Sequence, residues 1–283
     1  MTTRELIAVR HAGLPYPRED GIEIRREGAL EAVLAPPARR LLAGRRAALG
    51  AAARHMRRLE ALMVHGTVLP ALPGTRLPEA LVGATLCGNA AVLLPPLERV
   101  AGRVQFQVTV AAPDGLAPDD VPPPLRAAIA TRLAGPGFDR IALPVASGVI
   151  ANHVLLINPA EIDTLDAVLE DIDRLGGGAL RIRRIGPAPA VSFASVGLAR
   201  LPARAVNAAL RRFGLPPDAR AEDLGSARRA ALRADPGAQA AISTAAEIAA
   251  TALAASWRDG PLFCATLWTE ARAESSDTAR RVA

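Results

Sequence analysis

Two segments punctuated by glycine and proline constrain this chain most. They are HGTVLPALPGT, His65 to Thr75, and RRIGPAPAVSF, Arg183 to Phe193. Each joins an apolar extended run to a Pro and Gly stop, and a long helical pattern precedes each. Gly and Pro fix where a backbone turns or breaks, so the chain must change direction at both places.

The rest of the order follows by periodicity. Leu6 to Arg10, Gly21 to Arg25 and Leu30 to Leu34 read as short strands, the last two split by Glu27-Gly28. A helix opens at Pro36-Pro37 and runs to about Met63. On it Leu42, Leu49, Met56 and Met63 fall seven apart, with Ala52 and Leu59 between them, a coiled-coil-like seam. Its other faces carry Arg39, Arg40, Arg45, Arg46, Arg54, Arg57 and Arg58. Two readings stand: a helix packed on its own sheet with a solvated basic face, or a helix that docks on a partner, with Arg54, Arg57 and Arg58 as candidate partner-binding residues.

An extended run, Thr67 to Leu72, is followed by a helix from about Pro78 to Leu93. Arg103 to Ala111 alternates as a strand and ends a first domain, 1–111. The Pro/Asp stretch 112–124 is the linker candidate, and 125–283 forms a second domain. That domain begins with a helix, Leu125 to Leu133. The continuous apolar run Val149 to Ile157 suits a buried central strand. Pro159 then opens a helix whose stripe is Ile162, Leu165, Leu169 and Ile172 and whose other faces carry acidic residues. Gly176-Gly177-Gly178 ends it, and Ala179 to Ile185 alternates apolar with arginine. This strand–helix–strand is half of a ferredoxin-like α+β unit. A helical insertion, 203–256, and a returning strand, Leu262 to Trp268, complete the domain. Glu270 onward reads as a polar, frayed tail.

Composition narrows the function. All 34 basic residues are arginine, the net charge is +6, and aromatic residues make up 3%. A GC-rich coding sequence accounts for that bias most simply; the alternative is an acidic partner, since arginine contacts carboxylate or phosphate through two donors. Scattered arginines with so few rings to stack on bases argue against nucleic acid. Cys87 and Cys264 lack any metal-binding spacing and sit in apolar runs, so buried free thiols are expected. The N-terminus has no signal-peptide pattern, and the longest uncharged run, Ala80 to Leu97, is short for a membrane helix and reads as a buried one. A cytoplasmic protein with no membrane association is expected.

No nucleophile elbow, phosphate loop, dinucleotide fingerprint or zinc-protease motif is present. His11, His55, His65 and His153 share no ligand spacing, and Ser147, Ser192 and Ser195 have no recognisable catalytic context. No catalytic residue, metal or cofactor is expected.

The marked segments, in their surroundings, resemble the GvpL/GvpF family of gas vesicle accessory proteins. In RHMRRLEALMVHGTVLPALPGT the positions His55, Val68, Leu69, Pro70, Gly74 and Thr75 match a helix-into-strand passage of that family, with Leu72 and Pro73 in place of Arg and Phe. RVQFQVTV resembles a family strand but carries Gln105, Phe106 and Thr109 where Glu, Trp and Lys are usual. HVLLINPAEIDTLDAVLEDI resembles the strand and helix before a Gly-Pro-Trp-Pro-Pro-Tyr-Ser-Phe signature. Of that signature Gly186, Pro187, Pro189, Ser192 and Phe193 remain, while Ala188, Ala190 and Val191 replace Trp, Pro and Tyr. The resemblance spans roughly Leu6 to Phe193. It implies two α+β domains, the second a modified ferredoxin-like fold. It also implies a non-enzymatic role in assembling gas vesicles, through contact with the small hydrophobic shell protein and other accessory proteins.

A fainter resemblance lies in Ala205 to Ala255, which is similar to a degenerate J-domain. Ala234, Asp235 and Pro236 stand where such a domain needs His-Pro-Asp, so stimulation of an Hsp70 ATPase is not expected; a plain helical insertion is the alternative, and a co-chaperone or other interaction module the alternative function.

Overall fold

In the computed structural model, which describes residues 2–15, 21–37, 44–113 and 121–270, the strand β1 (Thr3–His11) is buried at every position from Glu5 to Arg10. A strand buried on both faces must be central. The exposed β2 (Glu23–Glu27) and the wholly buried β3 (Leu30–Ala35) form a hairpin, and β3 lies antiparallel to β1.

The helix α1 (Arg45–Met63) packs against β1. Its buried stripe is His55, Leu59 and Leu62, so of the seam only Leu59 is fully buried among the described residues. Leu49 of that seam is 61% exposed, Met56 and Met63 are half-buried, and Leu42, Arg39 and Arg40 lie outside the described residues. The i, i+4, i+7 set suits a helix lying on a sheet, where the period is 3.6 rather than 3.5.

On the far side of β1 lie β4 (Leu69–Pro70) and β5 (Arg76–Pro78), so the sheet order is β2-β3-β1-β4 with β5 also on β1. The helix expected from Pro78 to Leu93 is broken. A 3-10 turn at Glu79–Leu81 leads into α2 (Val82–Gly88), and α3 (Ala90–Arg99) leaves at 74° to that first piece. Asn89 stands at the break, fully buried.

The strand β6 (Val104–Ala111) opens the second compact unit rather than closing the first. It is followed by α4 (Pro123–Ala134), β7 (Asp139–Ala142), β8 (Val149–Ile157), α5 (Ile162–Leu175) and β9 (Arg181–Ala188). The sheet is antiparallel in the order β7-β8-β6-β9. This β-α-β-β-α-β succession is the ferredoxin-like arrangement. Phe106, Val108 and Val110 pack with Leu155, Ile157, Ile129, Leu133, Leu165 and Ile172 into one core. The Pro/Asp stretch therefore joins β6 to α4 within a unit. Its described flanks Ala112 and Val121 are buried, and residues 114–120 lie outside the described set.

After β10 (Ser195–Leu201) come α6 (Ala203–Arg212), α7 (Ala221–Ala234) and α8 (Gln239–Ala254), then β11 (Leu262–Trp268), which pairs with β10. Val206, Leu210, Phe213, Leu224, Ile242 and Trp257 give the three helices their own core. The returning strand was expected on the second sheet. The contacts instead divide the chain into Met1–Glu98 with Val196–Leu267, and Arg99–Ser195 with Trp268–Ala283. These bounds differ from 1–111, 112–124 and 125–283. Two contacts carry the difference: Ala71 bridges in parallel to Val196, and α2 packs on α8. Gly88 makes the second contact possible, since a Cβ there would stand 2.8 Å from the Ala255 Cβ. Among the described residues no single helix is long and apolar enough to cross a membrane.

Candidate functional site

The first marked segment is a joint in the first unit. Leu69 and Pro70 pair with Val9 and Ala8. The Ala71 N–H donates to the Ile7 carbonyl (2.9 Å), and the Leu6 N–H donates to the Thr75 carbonyl (2.8 Å). The Thr75 hydroxyl donates to the Leu72 carbonyl (2.6 Å) and closes the turn around Gly74, whose N–H donates to Glu5 Oε1 (3.2 Å). Gly74 takes φ +79°, the left-handed conformation that glycine tolerates. Val68 is buried beside them.

His55 ties the helix to this joint. Its Nε2 lies 2.8 Å from the Ala71 carbonyl oxygen, which can only accept, so Nε2 carries the proton. Nδ1 is buried without a partner. Burial lowers the His55 pKa below the ordinary histidine value; the Ala71 hydrogen bond and Glu5 oppose that shift, and Arg58 adds to it. The matched positions from His55 to Thr75 thus meet around one structural joint.

The second marked segment is a joint of the second unit. Gly186 sits at φ +137°, before a cis bond to Pro187, and a Cβ there would stand 2.6 Å from the Gln105 carbonyl oxygen. Gln105 answers from its side chain: Oε1 accepts from the buried Ser192 N–H at 2.9 Å. The Phe193 N–H turns back onto the Ala190 carbonyl, and Phe193 is buried. Pro189 accepts from the Val191 N–H. The matched Gly186 and Pro187 therefore lie inside β9, where its register with β6 slips, and Ser192 and Phe193 lie in the turn that follows Pro189, which β6 holds through Gln105. The first set lies in one unit and the second in the other.

The arginines singled out on α1 part company. Arg54 and Arg57 are exposed, while Arg58 is half-buried and near enough to His55 to influence it. The cysteines also differ from expectation. Cys87 is exposed, its thiol 3.3 Å from the Ala254 carbonyl, and Cys264 is half-buried. Burial raises the Cys264 thiol pKa, with Thr251 pulling the other way. Cys87 lies on α2 and Cys264 on β11, and an apolar sequence context does not fix which face of its element a residue takes.

Sequence reasoning missed a buried ion pair. Arg10 is 1% exposed, and its Nε donates to Glu31 Oε2 at 3.0 Å. Its two terminal nitrogens donate to the Pro15 and Leu14 carbonyls, and Glu31 Oε1 accepts from the Gly13 N–H. The sequence shows only charged residues near a strand's end. A cavity of about 520 Å³ lies nearby, lined by Thr2, Arg25, Arg26, Glu27, Glu79 and Gly83 among others. Its Arg25 and Glu79 pair with each other, and Arg4 also pairs with Glu79. Among the described residues no three His, Cys, Asp or Glu side chains converge as metal ligands would.

These features define an α+β protein of two units whose marked segments serve as joints of the fold. Residues 10–143 match the family model described as gas vesicle synthesis protein GvpL/GvpF, a span that includes the first joint and ends before the second. That span is just under half of the 283 residues, and over it the chain is similar to that gas vesicle family. The fold is similar to the crystal structure of the gas vesicle protein GvpF from Anabaena sp. PCC7120, with 17% identity and a TM-score of 0.52, over 68% of this chain and 98% of that one. It is equally similar to GvpF from Microcystis aeruginosa, with 16% identity and a TM-score of 0.52, over 68% of this chain and 99% of that one. No curated protein matches the sequence.

Proposed function

We propose that this chain assists assembly of the gas vesicle shell by binding the small hydrophobic shell protein, together with other gas vesicle accessory proteins, in the cytoplasm and at the growing vesicle. The match to the gas vesicle synthesis family over residues 10–143 carries the reading. A shell subunit exposes apolar surface before it assembles, and such surface aggregates unless covered. A protein that covers it transiently acts without catalysis. In this reading the family-motif positions keep the fold in shape, and the free surface of α1, with Arg54 and Arg57, faces the partner.

The test is co-expression with a tagged shell protein and pull-down at moderate salt. Specific co-purification supports shell binding. A clean negative, with both proteins folded and soluble, removes the shell protein as the partner. Vesicle formation that continues unchanged after deletion of the gene removes the assembly role itself.

A further inference from the structure

One edge of the second sheet carries opposite charge on its two faces. In the order β7-β8-β6-β9 the strand β9 is terminal, and all of it but Ile182 and Ala188 is exposed. Gly186 has no side chain, so its exposure is that of the backbone. From Ile182 to Gly186 the backbone makes no hydrogen bond outside the β6 ladder among the described residues. Strand residues alternately turn their N–H and C=O groups away from the paired neighbour. A stretch about as long as an ordinary strand thus offers such groups to a further one. Pro187, which has no N–H, ends that stretch.

Residues opposite one another on β6 and β9 share a face. Ile182 and Arg184 lie with Val110 and Val108 on the face that packs α4 and α5. Arg183 and Ile185 lie with Thr109 and Gln107 on the other, where the Thr109 hydroxyl and the Gln107 amide donate to Asn152 Oδ1 at 3.3 and 3.0 Å.

The helix side of this edge is acidic. At about 100° per residue, Asp163, Asp166, Glu170 and Asp173 of α5 fall within about 80° of one another, centred about 100° from the core stripe Ile162, Leu165, Leu169 and Ile172. Asp166 pairs with Arg184, which places that flank beside β9 and neutralises Arg184, whose guanidinium also lies 5.3 Å from the centre of the Phe106 ring. Asp163, Glu170 and Asp173 have no partner among the described residues. Arg174, the one cation on α5, pairs with Asp171. The other side is basic and apolar: Arg183 is exposed and without a partner among the described residues, and Ile185 is 45% exposed. Arg181 is already engaged within the chain, and Asp139, on the far edge strand β7, pairs with Arg103.

This two-sided charge selects the occupant. A strand laid beside β9 turns every second side chain towards the α5 carboxylates and the others towards Arg183 and Ile185. Basic residues suit the first set; acidic and apolar residues suit the second. A second copy's β9, laid antiparallel in the same sheet, keeps like faces together, so arginine meets arginine and one acidic α5 flank meets the other. A helix pairs its backbone groups within itself and cannot extend the ladder.

We propose that the β9 edge, Ile182 to Gly186, takes up an extended segment of a different protein in which basic residues alternate with acidic and apolar ones. The inference goes beyond the assembly reading and does not depend on which protein the chain assists.

The experiment uses the full chain and two fluorescein-labelled peptides of one composition. The first places lysine on one face of a strand and glutamate and valine on the other; its twin mixes lysine and glutamate on both faces. Fluorescence anisotropy should show the first binding at least about tenfold more tightly, with the difference shrinking as salt rises. Arg183→Glu, or Asp163→Lys together with Glu170→Lys, should weaken it about tenfold; circular dichroism checks that each variant is folded. Combining the three changes should restore most of the affinity, because an alternating strand that slips by one residue exchanges its faces. Bound peptide should slow hydrogen exchange at amides between Ile182 and Gly186. Equal binding of the two peptides, no binding of either, no recovery in the triple variant, or unchanged exchange along β9 overturns the proposal. So does self-association of the free chain that protects the same amides, since the occupant is then a second copy.

Discussion

Asn89 and Phe263 are 174 residues apart and joined by a buried hydrogen bond, the Asn89 Nδ2 donating to the Phe263 carbonyl at 2.8 Å. The Oδ1 of the same amide accepts from the Ala265 N–H at 2.7 Å, and Nδ2 also donates to the Thr85 carbonyl. The side chain thus pairs with β11 as a neighbouring strand would, and it does so from the break between α2 and α3. Asn89→Ala leaves a buried donor and acceptor of β11 unpaired. It should cost about 2–3 kcal/mol of unfolding free energy in urea titration. An unchanged midpoint and slope would show that β11 holds its place without this clamp.

The Arg10–Glu31 pair makes a second test. Removing one partner leaves a charge in the interior. Glu31→Ala should lower stability by about 3 kcal/mol, and the Leu14 and Pro15 carbonyls keep the cost from rising further. Replacing both residues with apolar ones of similar volume should restore much of the loss. Thermal melts of the single and double variants distinguish the outcomes.

His55 gives the fold a pH dependence of defined sign. Its folded pKa lies below the unfolded value of about 6.5, chiefly through burial. Between those two values the unfolded chain binds more protons than the folded one, so stability rises with pH through that window. The contribution is fully present above the unfolded pKa and is lost as pH falls towards the folded one. His153 acts in the same direction, lowered by burial and by Arg140. Urea midpoints measured from pH 5 to 8 on the wild type and on His55→Gln should show a shallower slope in the variant. Identical slopes would assign the dependence to other groups.

Gly186 combines a left-handed backbone with close contact to Gln105 and Phe106. Gly186→Ala should cost about 2–3 kcal/mol. It should also raise hydrogen exchange at the Ser192 amide, because β6 must shift to admit the Cβ and Gln105 moves with it. Gly177→Ala, also at positive φ but with nothing within 4 Å of the added carbon, should cost less and leave that amide protected. Equal costs would reduce the Gly186 effect to backbone conformation alone.

Much of the architecture was legible along the chain because strands and helices announce themselves by local period. β1, β3, β6, β8 and α5 fall close to where alternation, apolar runs and Pro or Gly stops put them. Gly74 turns the first marked segment through its positive φ, whereas Gly186 and Pro187 of the second stay inside β9 and the turn comes after them. What the sequence could not supply is everything decided between distant residues. The helix that breaks at Asn89 reads as continuous until Phe263 and Ala265 arrive to take its amide. β6 reads as the end of one domain until its partners β8 and β9 are known, and β11 joins β10 rather than the second sheet. Arg10 and Glu31 show in the sequence only as charged residues within strands, and the sheet is what pairs and buries them. The heptad seam on α1 was visible in the sequence, but only the packing of His55, Leu59 and Leu62 determined that Leu59 turns inward while Leu49 stays exposed. Local period is set by backbone geometry within a few residues; burial, pairing and exposure depend on which segments meet, and that is settled only when the whole chain has folded.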